Sequence, residues 1–461
     1  MPASTDDRRS PRASANGESD EGGQRRAGVD LLARVQRELG LAGTEVASPP
    51  HRAVPLPSRL ATADLAWASV SAAMLAAGRS PASLDPERIA TAYRSDRVLT
   101  ISGEAPPVWS VYSGFWRTSD GWIRTHGNYP HHAAGLRAGL RLRHDAAVDA
   151  VRDALGERTT TAAVADITTA GGLAVAVAAE EPAVDRALRE HPLLELVRID
   201  TTPASHAPRA TAASTPPASL PLQGMRVLDL TTVIAGPVCS RTLAMLGADV
   251  LRIDPPHRPE PEWQHLDTGH GKRSAVLDAR TSRLQELLAH ADAVVLGYRP
   301  AALDRLGLQP EVLARRYPRL VVAQLSAWGV ENPERAGFDS LVQAASGISF
   351  IESADGDRPG ALPAQALDHS AGYLLAAAVT ALLRRRPEEG SWIVRTSLRR
   401  VAAELLGMPR SGEPAAEVEF DTRPHVERFD VDGTALVTAR PALAGFEYRA
   451  PHKWSSDQPT W

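Results

Sequence analysis

Between residues 225 and 325 short apolar runs alternate with helix-patterned segments, and this alternation leaves the chain few architectures. Met225–Leu230, Asp249–Ile253, Ala293–Leu296 and Leu320–Leu325 read as strands, while Pro237 to Leu246, Arg283–Ala289 and Pro310–Arg316 read as helices. Pro237 suits the first turn of a helix, where its missing N–H is no loss. Strands and helices alternating at this spacing predict an α/β fold with a doubly wound, mostly parallel, Rossmann-like sheet. Ligands on such sheets bind beyond the carboxyl ends of the strands, so the turns at 231–237, 254–273, 297–301 and 326–330 should share one rim.

The 461 residues carry a net charge of −4, too small to advertise a nucleic-acid or membrane partner. Cys239 is the only cysteine, which excludes a disulfide framework and points to a reducing cytoplasm. The start is polar, without the apolar core of a secretory leader. Asp368 and His369 interrupt the best candidate for a membrane span. Residues 1–27 have little to bury and should be a disordered tail, and 201–219, rich in Pro, Ala, Ser and Thr, read as a linker. The expected division is a small α+β domain at 28–200, a nucleotide-binding-type domain at 220–400 and an irregular extension at 401–461. Within the small domain, Ala61–Ala77 reads as an amphipathic helix. Residues 113–126 read as an aromatic-rich hairpin turning at Ser-Asp-Gly, with helices expected at 134–141, 145–155 and 182–189. Asp64 before its helix faintly echoes Asp368 before its own, as an internal duplication would.

Asp368 stands at the start of the long apolar run 366–383. A carboxylate there should meet unpaired N–H groups and the positive end of the helix dipole, staying ionised at neutral pH while poorly hydrated. That state suits a nucleophile, although a plain N-cap has the same pattern. Gly236 in the first turn would let backbone approach a ligand, and the following helix start favours phosphate. All basic charge is Arg apart from Lys272 and Lys453, which singles out Lys272 within Gly-Lys-Arg-Ser as a phosphate holder. Asp254 stands where a ribose-binding acid would, but no G-x-G-x-x-G accompanies it, which weighs against a nicotinamide enzyme. Cys239 reads as packing, and His126, His131 and His132 as surface or structural residues; no second cluster at metal spacing joins them, so no metal site is expected. His369 adjoins Asp368, yet neighbouring helical side chains point apart.

Seven stretches in one order, 221–237, 246–254, 271–274, 298–307, 318–329, 337–339 and 366–369, resemble the family III CoA-transferases, the group that includes formyl-CoA transferase and carnitine CoA-transferase. Phe-Trp-Arg-Thr-Ser-Asp-Gly-Trp (115–122) resembles a hallmark of that family's small domain, here placed before the nucleotide-binding half instead of after it. The resemblance implies that Asp368 attacks an acyl-CoA thioester, that CoA thiolate attacks the resulting anhydride to give an aspartyl-CoA thioester, and that an acceptor carboxylic acid reverses the sequence. It implies CoA as co-substrate with no tightly bound cofactor, lying on Thr231, Ile234, Ala235, Gly236, Ile253, Lys272, Arg273, Tyr298 and Arg305. Phe338, Asp339 and His369 would line the acyl end, and a homodimer is the implied assembly.

The chain departs from the family pattern in several places. Gly297 stands where an Asn is usual, Ala301 where a Gly is, and Ile234 where formyl-CoA transferase has a Gln. The glycine-rich closing loop is reduced to Gly103-Glu104, and the stretch beyond Ser397-Leu398 is short for the usual small domain. Two other functions stay open on the same scaffold. An acyl-CoA racemase would pair Asp368 with a His that segment 337–339 lacks, and a CoA-binding protein without turnover would fit the departures. Apolar Ile234 and Phe338 favour an acyl group larger than formyl.

Overall fold

A computed structural model describes residues 16–41, 52–199 and 220–461. Its strands are β1 (Thr100–Ile101), β2 (Gly114–Arg117), β3 (Trp122–Thr125), β4 (Ala174–Ala176), β5 (Glu195–Ile199), β6 (Arg226–Leu230), β7 (Asp249–Asp254), β8 (Lys272–Val276), β9 (Ala293–Leu296), β10 (Val321–Ser326), β11 (Ser391–Ser397), β12 (Val426–Val431) and β13 (Thr434–Ala439). The large sheet has the order β5-β11-β10-β9-β6-β7-β8. All its pairs are parallel except β5 with β11. From β6 onward the parallel strands therefore run 3-2-1-4-5-6, the doubly wound order. Every residue of β9 and β10 is buried, as strands covered on both faces require.

The order reverses between β6 and β9, paired from Val227↔Ala293 to Leu230↔Leu296. Chain leaving the carboxyl end of β6 crosses one face and chain leaving β9 the other, so a crevice opens beyond Leu230 and Leu296.

Six helices matter for the site: α1 (Asn16–Glu38), α2 (Thr62–Ala76), α3 (Ala235–Met245), α4 (Asp339–Ala345), α5 (Ala366–Glu389) and α6 (Leu398–Leu406). α5 is the centre of the larger core. Its segment Ala366–Arg385 is long and apolar enough to cross a membrane, with mean hydropathy 1.3, but the apolar window within it is buried inside the protein and only Arg384, near its end, is exposed. Asp368 and His369 stand at its very start and do not shorten the apolar run, contrary to expectation.

The N-terminal segments also depart from expectation. α2 is buried on nearly every side and joins the core around α5, because a helix apolar all round has no solvent face. α1 covers residues 16–27, expected to be disordered: Leu31, Leu32, Val35 and Leu39 anchor it in that core, and helix propagates from an anchored turn. Residues 1–15 and the expected linker at 201–219 lie outside the described residues. β5 pairs with β11, so it belongs to the large sheet. What remains as a separate small unit is the sheet β2-β3-β4 with the helices Pro130–Gly139, Val148–Gly156 and Thr160–Thr169, closed around Trp116, Ile123, Leu136, Leu155 and Ile167. The expected β2–β3 hairpin forms, its turn closed by Thr118 N–H to Gly121 carbonyl at 3.0 Å.

The C-terminal extension is ordered where irregular chain was expected. β12 and β13 form a hairpin that β1 extends. Asp432 and Gly433, at φ of 49° and 82°, supply the two positive-φ residues that a tight hairpin turn demands. The last residues run beside β8, where the Asp457 carboxylate accepts the Ser274 N–H at 2.8 Å.

Candidate active site

The turn from β6 into α3 is built by close approach. A Cβ on Gly236 would lie 2.4 Å from Cβ of Thr231, and one on Gly297, at the end of β9, 3.0 Å from the same atom. A side chain at 297 would therefore press on Thr231. Val233 holds φ of +77°, a strained conformation for a β-branched residue, and its N–H is gripped by Glu260. Glu260 and Asp254 both hold Arg252, and all three are buried. No side chain caps α3 at Ile234.

Several expected CoA contacts lie elsewhere. Lys272 is 2 % exposed, and its Nζ donates to Asp229 Oδ2 at 2.9 Å and to the Pro237 carbonyl at 3.0 Å, so it cannot hold a phosphate. Burial alone would push Asp229 up, but Lys272 and Arg252 outweigh it and hold the carboxyl below its usual range. Arg273 forks onto Asp249 at 2.9 and 3.0 Å at the opposite, amino end of the strands. Ile253 packs into the core on the second sheet face. Arg305 lies exposed, paired with Glu334 at 2.9 Å. Thr231 turns its hydroxyl to Asp229, and Ala235 and Gly236 are buried in α3. Tyr298 sits beside the Arg252 cluster, and burial followed by Asp254 pushes its phenol up. Cys239 is buried, and burial raises its thiol well above the usual range.

Asp368 lies in the first turn of α5 and is 5 % exposed. The helix start that should have stabilised its charge is engaged by another acid. Asp339 Oδ2 accepts the Asp368 N–H at 2.9 Å, the Leu367 N–H also bonds to Asp339, and Gln343 donates to its Oδ1. No hydrogen bond reaches the Asp368 carboxyl from any described residue. Burial, then the facing charge of Asp339, pushes Asp368 well above the carboxylate range. Asp339 rises to about 6, mostly through burial and against its N–H donors. The expectation that Asp368 rests ionised is thus corrected in direction: burial and Asp339 favour its neutral form, while the N–H donors on Asp339 favour the anion there.

Asp368 lines a cavity of about 50 Å³ together with Ile234, Phe338 and His369, as expected, and with Val233, His126, Asn128, Tyr129 and Trp109, which were not. Among the lining residues His126, Tyr129, Ser340 and His369 each carry a buried polar atom with no partner among the described residues. The His126 ring lies flat on Phe338, centroids 3.8 Å apart at 9°. Asn128 pins the covering segment by accepting the Ser110 N–H at 3.0 Å and donating to the Val108 carbonyl at 3.2 Å. The cover is therefore Val108-Trp109, while Gly103-Glu104 only closes a turn after β1. The histidine-rich run 126–132 was visible in the sequence; its position over Asp368 was not, because a hairpin gives no sign of what it folds against.

Beyond this cavity lies a cleft of about 1410 Å³ between the small unit and the ends of β10 and β11, lined by Arg258, Arg299, Arg335, Trp328 and His132. The His132 ring, which lines the cleft, meets Phe338, which lines the cavity, edge-on at 5.9 Å. Among the described residues no group of three His, Cys, Asp or Glu side chains is arranged to hold a metal ion.

A doubly wound sheet binds its ligands in the crevice at the switch point, and here a buried acid lies beside that crevice. Residues 222–417 match the model of CoA-transferase family III. The chain is similar to a probable fatty acyl-CoA transferase, Rv3272 of Mycobacterium tuberculosis, at 30% identity over 257 residues, 48% of this chain and 65% of that protein. It is similar to human alpha-methylacyl-CoA racemase at 35% identity, over 34% of this chain and 42% of that one. A formyl-CoA:oxalate CoA-transferase of Streptomyces coelicolor is 31% identical over 37% of this chain and 45% of its own. A crystal structure of Rv3272 superposes with a TM-score of 0.38 at 31% identity, covering 41% of this chain and 57% of the other. The chain thus spans less than two thirds of the length of each of these relatives.

Proposed function

We propose that the chain moves CoA between an acyl-CoA thioester and a carboxylic acid, with Asp368 as nucleophile. One observation carries the reading: a buried carboxyl without hydrogen bonds of its own opens on a cavity beside the strained turn Val233–Ile234 at the switch point. An acid so placed is poorly solvated, and its anion is reactive. Attack joins an Asp368 oxygen to the thioester carbon and breaks the C–S bond, so CoA leaves as thiolate. The proton that Asp368 held passes to Asp339, the facing base. Thiolate then attacks the aspartyl side of the anhydride, releasing the acyl carboxylate, and the acceptor acid reverses both steps. The pantetheine arm would reach Asp368 past His132 and Phe338 from the arginine-lined cleft, whose Arg258 and Arg299 suit the phosphates. Ile234 and Phe338 favour an apolar acyl group. The small unit takes the covering role of the family's small domain, here from an N-terminal position. The family resemblance supports a homodimer, and the buried cysteine suits a reducing cytoplasm.

Mass spectrometry after mixing with a panel of acyl-CoAs tests the proposal: an acyl or CoA adduct on Asp368, cleaved by hydroxylamine, is expected. Unchanged turnover in Asp368→Ala would reject it, and tight CoA binding without an adduct would reassign the chain as a binding protein. His126 in the Asp368 cavity favours a second reading, α-proton exchange on an acyl-CoA. Deuterium wash-in at the α-carbon without CoA exchange would select it.

A further inference from the structure

Asp368 attacking a thioester turns the carbonyl oxygen into an oxyanion, which needs hydrogen-bond donors in a dry site. The obvious donors, the N–H groups of Leu367 and Asp368, are held by the Asp339 carboxylate. Another group must face the reacting carbonyl. We propose that His126 supplies this donor, a ring N–H given across the cavity to the carbonyl oxygen as Asp368 attacks. The inference rests on the CoA-transferase reading of the same cavity.

His126 is held as a donor must be. Its backbone N–H bonds the Leu173 carbonyl at 3.1 Å, and its ring lies flat on Phe338 with His132 edge-on at 6.2 Å. The side chain is 5 % exposed and its Nδ1 has no partner among the described residues. Burial, then His132 and Arg124, holds the imidazole down at about 3, so it is neutral throughout the physiological range. A neutral imidazole polarises a carbonyl while keeping its proton. As the Asp368 oxygen–carbon bond forms, the carbonyl π pair moves onto oxygen and faces the His126 N–H. As the carbonyl re-forms, the C–S electrons leave with sulfur and His126 is unchanged. The donor would thus come from the small unit while the nucleophile comes from the large sheet's core helix, so docking of the two completes the site.

The test is single-turnover acylation, read by rapid quench and mass spectrometry, beside CoA binding by calorimetry. His126→Phe keeps a flat ring for Phe338 but has no donor; His126→Gln restores an N–H. His126→Phe should acylate about 10²–10³-fold more slowly, the loss typical of one oxyanion donor. Its CoA affinity and the inflections of its pH–rate profile should match the wild type, and His126→Gln should recover part of the rate. Wild-type acylation by His126→Phe, a lost inflection that marks an acid–base role, or CoA binding lost in step with rate would each overturn the inference. No adduct on the wild type with any acyl-CoA would overturn the transferase reading and this one together; a wild-type adduct with an unaffected His126→Phe overturns this one alone.

Discussion

The backbone N–H of Asp368 donates to the carboxylate of Asp339 at 2.9 Å, so the acid at 339 caps the helix on which the acid at 368 stands. The two are unequal by construction. Asp339 has two helix N–H groups and Gln343 to stabilise an anion, whereas Asp368 has burial and a facing charge. An anion is thus favoured more on Asp339 than on Asp368, whereas the proposed attack needs it on Asp368.

Replacing Asp339 by Asn should expose that relationship. With the facing charge removed, the inflection at which Asp368 ionises moves to lower pH. The amide must also turn its NH₂ toward one of the donors now on Asp339, which costs about 1–3 kcal/mol of stability. A pH profile of single-turnover acylation checks the shift, and an unmoved inflection would show that the two acids do not interact.

Asp368→Asn should stabilise the protein, and more so as pH rises. Both acids have folded pKa values above the unfolded one, so their favourable contribution is complete below about pH 4 and is lost as pH climbs through about 6 and beyond. Asn never ionises and escapes that loss. Thermal unfolding at pH 5 and pH 8 should show a gain of about 1–3 kcal/mol at the higher pH and a smaller one at the lower. An equal gain at both would place the effect in packing instead of charge.

Lys272→Met should cost about 3–5 kcal/mol of folding stability, since it strands the buried Asp229 carboxylate. Adding Asp229→Asn to it should return much of that loss, because Asn leaves no uncompensated charge for Ser240 and Thr231 to satisfy. Denaturant titration of the single and double variants reads the difference. A double variant no more stable than Lys272→Met would mean that the lysine acts through its stem packing.

The parallel sheet was legible because its strands are buried on both faces, and Ala293–Leu296 writes that as an unbroken apolar run. The Asp432-Gly433 hairpin was equally written, as a turn dipeptide between alternating segments, although the expected C-terminal extension was irregular. Three features were not legible. α2 looks amphipathic until α5 is known to cover its other side. Lys272 looks like a phosphate ligand until Asp229, 43 residues away, is seen to bond it. Asp368 looks like the acid that uses the helix start, but Asp339 arrives there through tertiary packing of α4. Spacing along one element reports which face a residue occupies and says nothing of which partner arrives from a distant one.

The arginines that face the large cleft differ from those the sequence singled out. Arg258 and Arg299 both line it, and Arg258 makes no ion pair with a described residue, whereas Arg305 is tied to Glu334 on the surface. An exposed guanidinium beside a deep cleft can take a phosphate with a charge-assisted fork, and the gain is screened by salt. Arg258→Ala should therefore weaken CoA binding about tenfold at low ionic strength, a loss of about 1.4 kcal/mol, and flatten its salt dependence. Arg305→Ala breaks only an exposed pair and should change affinity by less than about 0.5 kcal/mol. Calorimetry at two salt concentrations separates the variants, and a larger loss at Arg305 than at Arg258 would return the phosphates to the rim that the sequence proposed.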